Sequence, residues 1–308
     1  MDTTTAAVPV ALLPHCLVGA NPIIWSNDDF AELAGEVPLD TILREMRAAG
    51  YCGTEMGHAY PRIAAALVDA LATHQLRLIG GWHSTYLATH DEEEEVADFR
   101  RHLALLKPLG ATVAIVAECS HAIHGERDAV LGYGDHDRRI LTEPEWARVG
   151  RGLTRLATLC AEEGLKLVYH HHMGTVIQTA PELDRLLAAV PSMHLLLDPG
   201  HLSFAGVDAN RVIERHGRRI AHVHLKSTRA EVVARARRER WSFFRAVSDG
   251  VFTIPGDGAV DFLPIFQQLA TLDYRGWLVV EAEEDPARVR ALPKAVRARQ
   301  FVRERTGA

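Results

Sequence analysis

The segment 165–174, LKLVYHHHMG, is the clearest indication of the fold, because a short apolar run with a polar end is typical of a buried strand that ends at a functional site. The run Leu165–Tyr169 ends in the three histidines 170–172, and a second run, His194–Leu197, ends in Asp198-Pro199-Gly200-His201. The segment between the two runs, Ala180–Val190, has the apolar periodicity of a helix. A strand, a helix and a strand in this order predict two parallel strands joined by a helical crossover.

The same alternation recurs along the whole chain. The other apolar runs are Leu17–Trp25, Gly53–Met56, Leu76–Gly81, Thr112–Ala117, Ile220–Leu225 and Trp277–Val280. The other helical segments are Leu39–Ala49, Arg62–His74, Glu92–Leu106, Glu143–Glu163, Ala209–His216 and Phe262–Leu272. Eight strands are the number that closes a parallel (β/α)₈ TIM barrel, whose active site lies at the carboxyl ends of the strands. A doubly wound open sheet is the alternative, but no GxGxxG motif follows any strand.

The domain organisation predicted from this pattern is one α/β barrel over residues 1–308. The long connection from Ser227 to Asp261 is an insert before the last strand, with a predicted helix over Glu231–Val247. An insert of this length on the active face is expected to form a lid or an interface.

Charge and cysteine content exclude several classes of protein. The formal net charge is −6 and the pI is about 6.3, which argues against a nucleic-acid surface. The longest apolar runs fall well short of the roughly 20 residues of a membrane helix. The four cysteines lie far apart, so neither a zinc ribbon nor a disulfide scaffold is expected. These features predict a cytoplasmic enzyme with no membrane or nucleic-acid partner.

Four strand ends carry side chains that bind metals. They offer His170 or His172, then Asp198, then His222 or His224, and finally Glu281. Mixed imidazole and carboxylate ligands suit Mn, Co, Fe, Ni or Zn, whereas Mg and Ca prefer oxygen ligands alone. A turn capped by Asp198 is the structural alternative, but four consecutive strands with such ends favour a divalent-metal site.

Further polar residues near the strand ends are candidates for substrate contact or proton transfer. Lys226 would point into the same mouth as His224 and could neutralise a developing oxyanion or move a proton. We also predict contacts to a ring-shaped polyol from Trp25, Trp82 and His83, although Trp25 could equally pack between a strand and a helix. Glu55 and Glu118 belong to the same group of candidates, and Glu118 could instead anchor a loop.

Several motifs together resemble those of the myo-inosose-2 dehydratase family, in the xylose-isomerase-like TIM-barrel superfamily. The motifs are NPIIWSNDD (21–29), GTEMG (53–57), GGWHSTYL (80–87), YHHHMGT (169–175), LDPGH (197–201), HVHLK (222–226), FTIPGDG (252–258) and GWLVVEAEEDP (276–286). The resemblance implies a hydro-lyase of inositol catabolism, which dehydrates 2-keto-myo-inositol, a cyclic polyol ketone, to a trihydroxycyclohexane-1,2-dione. It also implies Mn or Co as the metal, glutathione as a further cofactor, and a homo-oligomer.

The resemblance also implies roles for single residues. The superfamily's metal ligands are Glu, Asp, His and Glu on the fifth to eighth strands, which match Asp198, His224 and Glu281. The fifth-strand Glu is replaced by His170, with His172 two residues further along and facing the same way. The Asp-x-x-His pattern of the superfamily places His201 on substrate. The common His-x-Lys-Asp ending has Ser227 in place of Asp.

The chemistry of the implied substrate follows from its ketone, which acidifies the neighbouring C–H and allows a hydroxyl one carbon further to leave. We predict that Lys226, His201 or a free oxygen of Glu281 moves the protons, and that His172 contacts the substrate. The main alternative is a metal-dependent keto-sugar or inosose epimerase or isomerase on the same barrel. An endonuclease-like barrel for abasic DNA and a non-catalytic sugar-binding barrel are two further alternatives; the net charge of −6 argues against the former.

Overall fold

The protein is described by a computed structural model that covers residues 11–28, 30, 33, 37–133 and 138–308. Eight parallel strands form a closed barrel in which the first strand pairs with the last, Leu17 lying beside Trp277. The barrel strands are β1 (Leu17–Ala20), β2 (Gly53–Met56), β3 (Arg77–Thr85), β4 (Val113–Glu118), β5 (Lys166–His170), β6 (His194–Leu197), β7 (Ile220–Leu225) and β10 (Trp277–Val280). The predicted (β/α)₈ barrel is therefore confirmed.

Helices pack around the barrel and connect its strands. They span Leu39–Ala48, Ala64–Thr73, Glu92–Leu106, Glu143–Glu162, Ala180–Ala189, Pro199–Ala205, Ala209–His216, Ala230–Arg238, Phe243–Ser248, Phe262–Thr271 and Ala291–Thr306. The helices Glu143–Glu162 and Ala180–Ala189 each begin with a capping box, which pairs the backbone N–H groups of the first turn. No helix in the described part of the chain is long and apolar enough to span a membrane.

The insert before the last strand differs from its prediction. The predicted helix Glu231–Val247 is two helices, Ala230–Arg238 and Phe243–Ser248, because the backbone reverses at Arg240, where φ is +53°. A short antiparallel ribbon, β8 (Ser227–Thr228) and β9 (Phe252–Thr253), closes the insert at its base. The predicted role of the insert as a lid or interface stays a prediction.

Two strands end several residues away from their predicted ends. The first strand ends at Ala20 rather than Trp25, because Pro22 opens a 3₁₀ turn over Pro22–Ile24 that the Asn21 side chain caps. The third strand extends four residues beyond the predicted end at Gly81 and reaches Thr85.

The interior of the barrel is filled by apolar side chains below the carboxyl ends of the strands. They are Ile79, Val113, Ile115, Val168, Leu196, Trp277 and Val279, which form one buried cluster. Gly53 leaves room for this layer, since a Cβ there would lie 2.6 Å from the Trp277 ring. Because side chains alternate along a strand, residues two positions beyond this layer point into the barrel mouth.

Candidate functional site

A cavity of about 310 Å³ opens at the carboxyl ends of the barrel strands. Its walls come from β2, β3, β4, β5 and β7 and from the loops after β1, β2, β4, β5 and β10. The polar side chains among them are Asn21, Asp28, Glu55, His58, Arg62, Ser84, His124, His170, His172, His224, Glu281 and Glu283. This location is where enzymes of this architecture bind their substrates.

Four side chains converge at the floor of the cavity. Each of His170, Asp198, His224 and Glu281 is buried, and one ligand atom from each lies within 4.8 Å of the others. The Oδ2 atom of Asp198 is 3.4 Å from Nε2 of His170 and 3.5 Å from Nδ1 of His224. The Nδ1 atom of His224 also contacts Oε2 of Glu281.

The atoms at the centre of this cluster lack hydrogen bonds. Among the described residues, Asp198 Oδ2, His224 Nδ1 and Glu281 Oε2 are buried with no hydrogen-bond partner. Buried polar atoms normally have a partner, since desolvation is otherwise costly. A divalent ion bound by these atoms and by His170 would satisfy them, so the donor set fits a metal site.

Glu55 fixes the imidazole rings of β7 from behind the cluster. Its Oε1 lies 3.0 Å from Nε2 of His224 and 2.6 Å from Nε2 of His222, while Asn21 Nδ2 donates to Oε2 at 2.7 Å. Burial raises the pKa of the Glu55 carboxyl, but the two histidines outweigh this effect and hold it well below its usual range. An anionic Glu55 holds the Nε2 proton of His224, which leaves Nδ1 free for a metal.

Lys226 lies among three carboxylates and not in the cavity. Its fully buried ammonium is 3.1 Å from Asp198 Oδ2 and 2.8 Å from Glu281 Oε1, and it also contacts Glu283 Oε1. Burial by itself lowers the pKa of Lys226, but the three carboxylates raise it well above its ordinary value. Lys226 is therefore a permanent counter-ion of the cluster.

His201, His172 and Glu283 form a second buried group next to Lys226. Glu283 Oε1 lies 3.2 Å from Nε2 of His201 and 3.8 Å from Nε2 of His172, and the two imidazole centroids are 3.9 Å apart. Phe243 and Phe252 of the insert pack on these rings. Burial raises the pKa of Glu283, but Lys226 and His201 hold it well below its usual range.

The sequence relatives of the chain decide its family. Residues 43–305 match the family model described as xylose isomerase-like TIM barrel. The inosose dehydratase of Geobacillus thermodenitrificans is 43% identical over 293 residues, which is 94% of this chain and 97% of that protein. The inosose dehydratase of Clostridium perfringens (strain ATCC 13124) is 40% identical over 291 residues, 94% of this chain and 97% of that protein. The chain belongs to the inosose dehydratase family.

Solved structures share the fold of this inosose dehydratase family member at low sequence identity. A probable 3-DHS dehydratase from Bacillus anthracis, AsbF, superposes with a TM-score of 0.68 at 14% identity, covering 93% of this chain and 98% of that one. The IolI protein with a bound zinc atom has a TM-score of 0.66 at 16% identity, covering 93% of this chain and 96% of that one. Similarity at this level confirms the barrel architecture.

Several predicted site residues lie in the cavity of this family member. His170, His224 and Glu281 line it as part of the metal-ligand cluster, whose fourth member, Asp198, lies just beneath, while Trp82, Glu55 and His172 line it next to the cluster. The Trp82 ring meets His170 and His172 edge-on at 5.6 and 5.8 Å between centroids. Their roles as metal ligands or substrate contacts stay predictions.

Three predicted substrate contacts lie outside the cavity, because their side chains point away from it. Trp25 is buried outside the barrel, and its Nε1 donates to Glu45 Oε2 at 2.7 Å. His83 meets the ring of Phe99, on the helix Glu92–Leu106, edge-on, since it follows the inward-facing Trp82 by one residue.

Glu118 is the third, and it anchors a loop instead. Its carboxylate accepts hydrogen bonds from Thr85 Oγ1 at 2.9 Å and from the backbone N–H groups of Leu87, Ala88 and Ser120 at 3.1 to 3.4 Å. Burial raises the pKa of Glu118, which these hydrogen bonds only partly offset.

The positions of Lys226 and His201 do not favour the predicted direct proton transfer by these residues. Neither residue lines the cavity, and both are fully buried. The ring nitrogens of His201 are occupied by Met173 N–H at 3.4 Å and by Glu283. Both side chains act on the site through Glu283, which they position and keep ionised.

Several cavity residues were not singled out from the sequence, among them Glu283, Asp28 and His58. Glu283 follows Glu281 by two residues and so shares its facing, which the strand period could have indicated. Asp28 and His58 lie on loops after β1 and β2, where no periodicity predicts the direction of a side chain.

Proposed function

We propose that this protein is an inosose dehydratase, a hydro-lyase that converts 2-keto-myo-inositol to a trihydroxycyclohexane-1,2-dione. The observation that carries the proposal is the 43% identity to a curated inosose dehydratase over 94% of the chain. The buried cluster of two histidines and two carboxylates at the barrel mouth supports the proposal, because it could hold a metal ion that would assist such a reaction. We also propose a cytoplasmic homo-oligomer.

We further propose that His170, Asp198, His224 and Glu281 hold one divalent ion, Mn or Co. Mixed nitrogen and oxygen ligands suit these metals and zinc better than Mg or Ca. A bound ion would act as a Lewis acid on the substrate carbonyl. Glu55 orients His224 for this task, and Lys226 limits the repulsion between Asp198, Glu281 and Glu283.

The dehydration needs a base at the cavity, and Glu283 is placed to act as one. The ketone acidifies the C–H beside it, and removal of that proton prepares the loss of the hydroxyl one carbon further. Glu283 Oε2 belongs to a cavity-lining side chain and has no hydrogen-bond partner among the described residues. We assign to this oxygen the acceptance of the proton, with Lys226 and His201 holding the other carboxylate oxygen in place.

The walls of the cavity account for binding of a ring-shaped polyol. Trp82 is 36% exposed and offers an apolar ring face, while its Nε1 donates to Ser84 Oγ at 2.9 Å. His172 and Asn21 place polar groups around the same space. Apolar ring surface with a few convergent polar groups is typical of sites for small cyclic ligands.

The test is a turnover assay of metal-stripped protein with 2-keto-myo-inositol, with and without Mn, Co or Zn. We expect dione to form only with metal, and omission of glutathione then tests that cofactor. A stereoisomeric inosose in place of the dione would move the protein to the epimerases. Substrate binding with no product under any metal would leave a sugar-binding barrel and refute the proposal.

A further inference from the structure

Another histidine–carboxylate pair lies at the mouth of the cavity, apart from the metal-ligand cluster. Asp28 is on the loop after β1 and His58 is on the loop after β2, and both side chains line the cavity. Asp28 Oδ1 contacts Nδ1 of His58, and Asp28 Oδ2 accepts the backbone N–H of His58 at 3.0 Å. One carboxylate thus holds the histidine at two points.

The geometry of this pair fixes which ring nitrogen is available. Because Nδ1 is bound to Asp28, the nitrogen left for a ligand is Nε2. The His58 side chain is 51% exposed and that of Asp28 is 28% exposed, so the pair lies at the mouth rather than in the floor of the cavity. The carboxylate on Nδ1 also fixes the orientation of the ring, as in other histidine–carboxylate pairs.

Gly57 allows the close approach of the two loops. A Cβ at this position would lie 2.6 Å from Pro22 Cγ and 3.0 Å from Asp28 Oδ2. A larger residue would therefore clash with Pro22 and crowd the carboxylate of Asp28. The pairing depends on the local backbone and is not a chance contact of two surface side chains.

The dehydration proposed above needs a proton for the hydroxyl that leaves. His124 also lines the cavity, but burial and the nearby His172 lower its pKa to about 3, so it is neutral at pH 7. Arg62 lines the cavity too, but a guanidinium does not give up its proton. His58 is a half-exposed imidazole with a carboxylate partner, which suits it to carry a proton.

We propose that His58 is a catalytic residue, the general acid that protonates the departing hydroxyl. The inference rests on the proposed dehydratase activity. In this step the α-proton goes to Glu283 and its C–H electron pair becomes the new C=C bond. The C–O bond breaks, its electron pair leaves with the oxygen, and Nε2 of His58 supplies the proton that completes the water molecule. The resulting enol tautomerises to the second ketone.

The test separates proton removal from loss of water. His58→Gln is assayed in D₂O with metal-loaded enzyme and 2-keto-myo-inositol, measuring dione formation and deuterium in recovered substrate above the enzyme-free background. We expect dione formation to fall by about 100-fold or more, the range typical of a lost general acid. Deuterium is expected to enter the recovered substrate, because the C–H bond is still broken.

Two further variants test whether the loss of dione formation comes from the missing imidazole at the cavity. His74 forms a matched pair with Asp40, 2.9 Å between Nε2 and Oδ1, on the outer helices, and His74→Gln is expected to keep wild-type turnover. His58→Ala is expected to regain at least about 10-fold in turnover with added imidazole, since His58 lies at the open mouth.

The outcomes distinguish this inference from the proposed function. If wild type forms dione and His58→Gln does so within about 3-fold of it, His58 is not the acid, although the protein is a dehydratase. If deuterium exchange is lost together with dione formation, His58 serves proton removal, and the assignment is wrong. If wild type forms no dione under any metal, the proposed function fails first.

Discussion

Replacing Lys226 by methionine tests the charge balance of the site most directly. The ammonium group is fully buried, 3.1 Å from Asp198 Oδ2 and 2.8 Å from Glu281 Oε1, and contacts Glu283. Methionine keeps the apolar stem but leaves three buried carboxylates without their shared cation. Removing one partner of a buried ion pair costs about 3–5 kcal/mol in the free energy of unfolding, and we expect a loss of that size in the metal-free protein.

Added Mn²⁺ is expected to restore part of this loss. The ion and the ammonium group are cations with shared carboxylate partners, Asp198 and Glu281, so each weakens the binding of the other. Without Lys226 the carboxylates attract the ion more strongly. The increase in the free energy of unfolding on adding Mn²⁺ should therefore be larger in Lys226→Met than in wild type.

Urea unfolding of wild type and of Lys226→Met, each with chelator and with Mn²⁺, measures the four free energies of unfolding that the comparison needs. Lys107→Met is the control, because Lys107 pairs with Glu163 at the surface, where the side chains are 57% and 39% exposed. Exposed ion pairs contribute about 0–1 kcal/mol to the free energy of unfolding, so Lys107→Met should be about as stable as wild type. The reasoning is refuted if metal-free Lys226→Met unfolds within about 1 kcal/mol of wild type, or if Mn²⁺ stabilises both proteins equally.

Three other changes are expected to have separable effects. Asp198→Asn should weaken metal binding by more than the roughly 10- to 100-fold typical of outer-shell changes, measured by metal analysis after desalting. Glu118→Gln should lower the free energy of unfolding by about 2 kcal/mol, because it loses charged hydrogen bonds to the 85–88 loop and to Ser120. Burial lowers the pKa of His102 to about 4, so wild type should lose stability as the pH falls from about 6.5 to 4, and His102→Gln should lose less.

Each of these changes has a result that would contradict it. A full equivalent of bound metal in Asp198→Asn would remove Asp198 from the ligand set. Lost metal in Glu118→Gln would mean that Glu118 acts on the cluster as well as on its loop. The sign for His102 follows because the unfolded imidazole takes up a proton that the folded one excludes, so equal acid sensitivity of variant and wild type would place the proton uptake elsewhere.

The barrel could be predicted from the sequence because its strands and helices differ in apolar period. Short apolar runs that alternate with helical segments predict a parallel sheet whose strands are joined by helical crossovers. The metal-ligand cluster could be predicted for a related reason. His170, Asp198 and Glu281 each come two residues after an inward-facing apolar residue, Val168, Leu196 and Val279. His224 lies near the end of β7, so the strand period and the barrel geometry together bring the four side chains to one place.

The predicted substrate contacts that lie outside the cavity did not take into account that neighbouring residues of a strand face opposite sides. Trp82 and His83 are neighbours on β3 and cannot both face the cavity, and Glu118 follows the inward-facing side of β4 by one residue. Trp25 was misplaced for another reason. Pro22 ends β1 early, and the turn after it directs the indole to Glu45.

The role of Lys226 follows from the charges around it, which the strand period alone does not give. The strand period places Lys226 at the barrel mouth together with Asp198, Glu281 and Glu283, three carboxylates that are all buried. Carboxylates in a desolvated space repel each other and require cations. Glu283 is not a member of the group His170, Asp198, His224 and Glu281 that could hold one ion, and Lys226 contacts it directly. The same ammonium lies 3.1 Å from Asp198 and 2.8 Å from Glu281, so it neutralises charge on all three carboxylates as a fixed counter-ion rather than a carrier of protons.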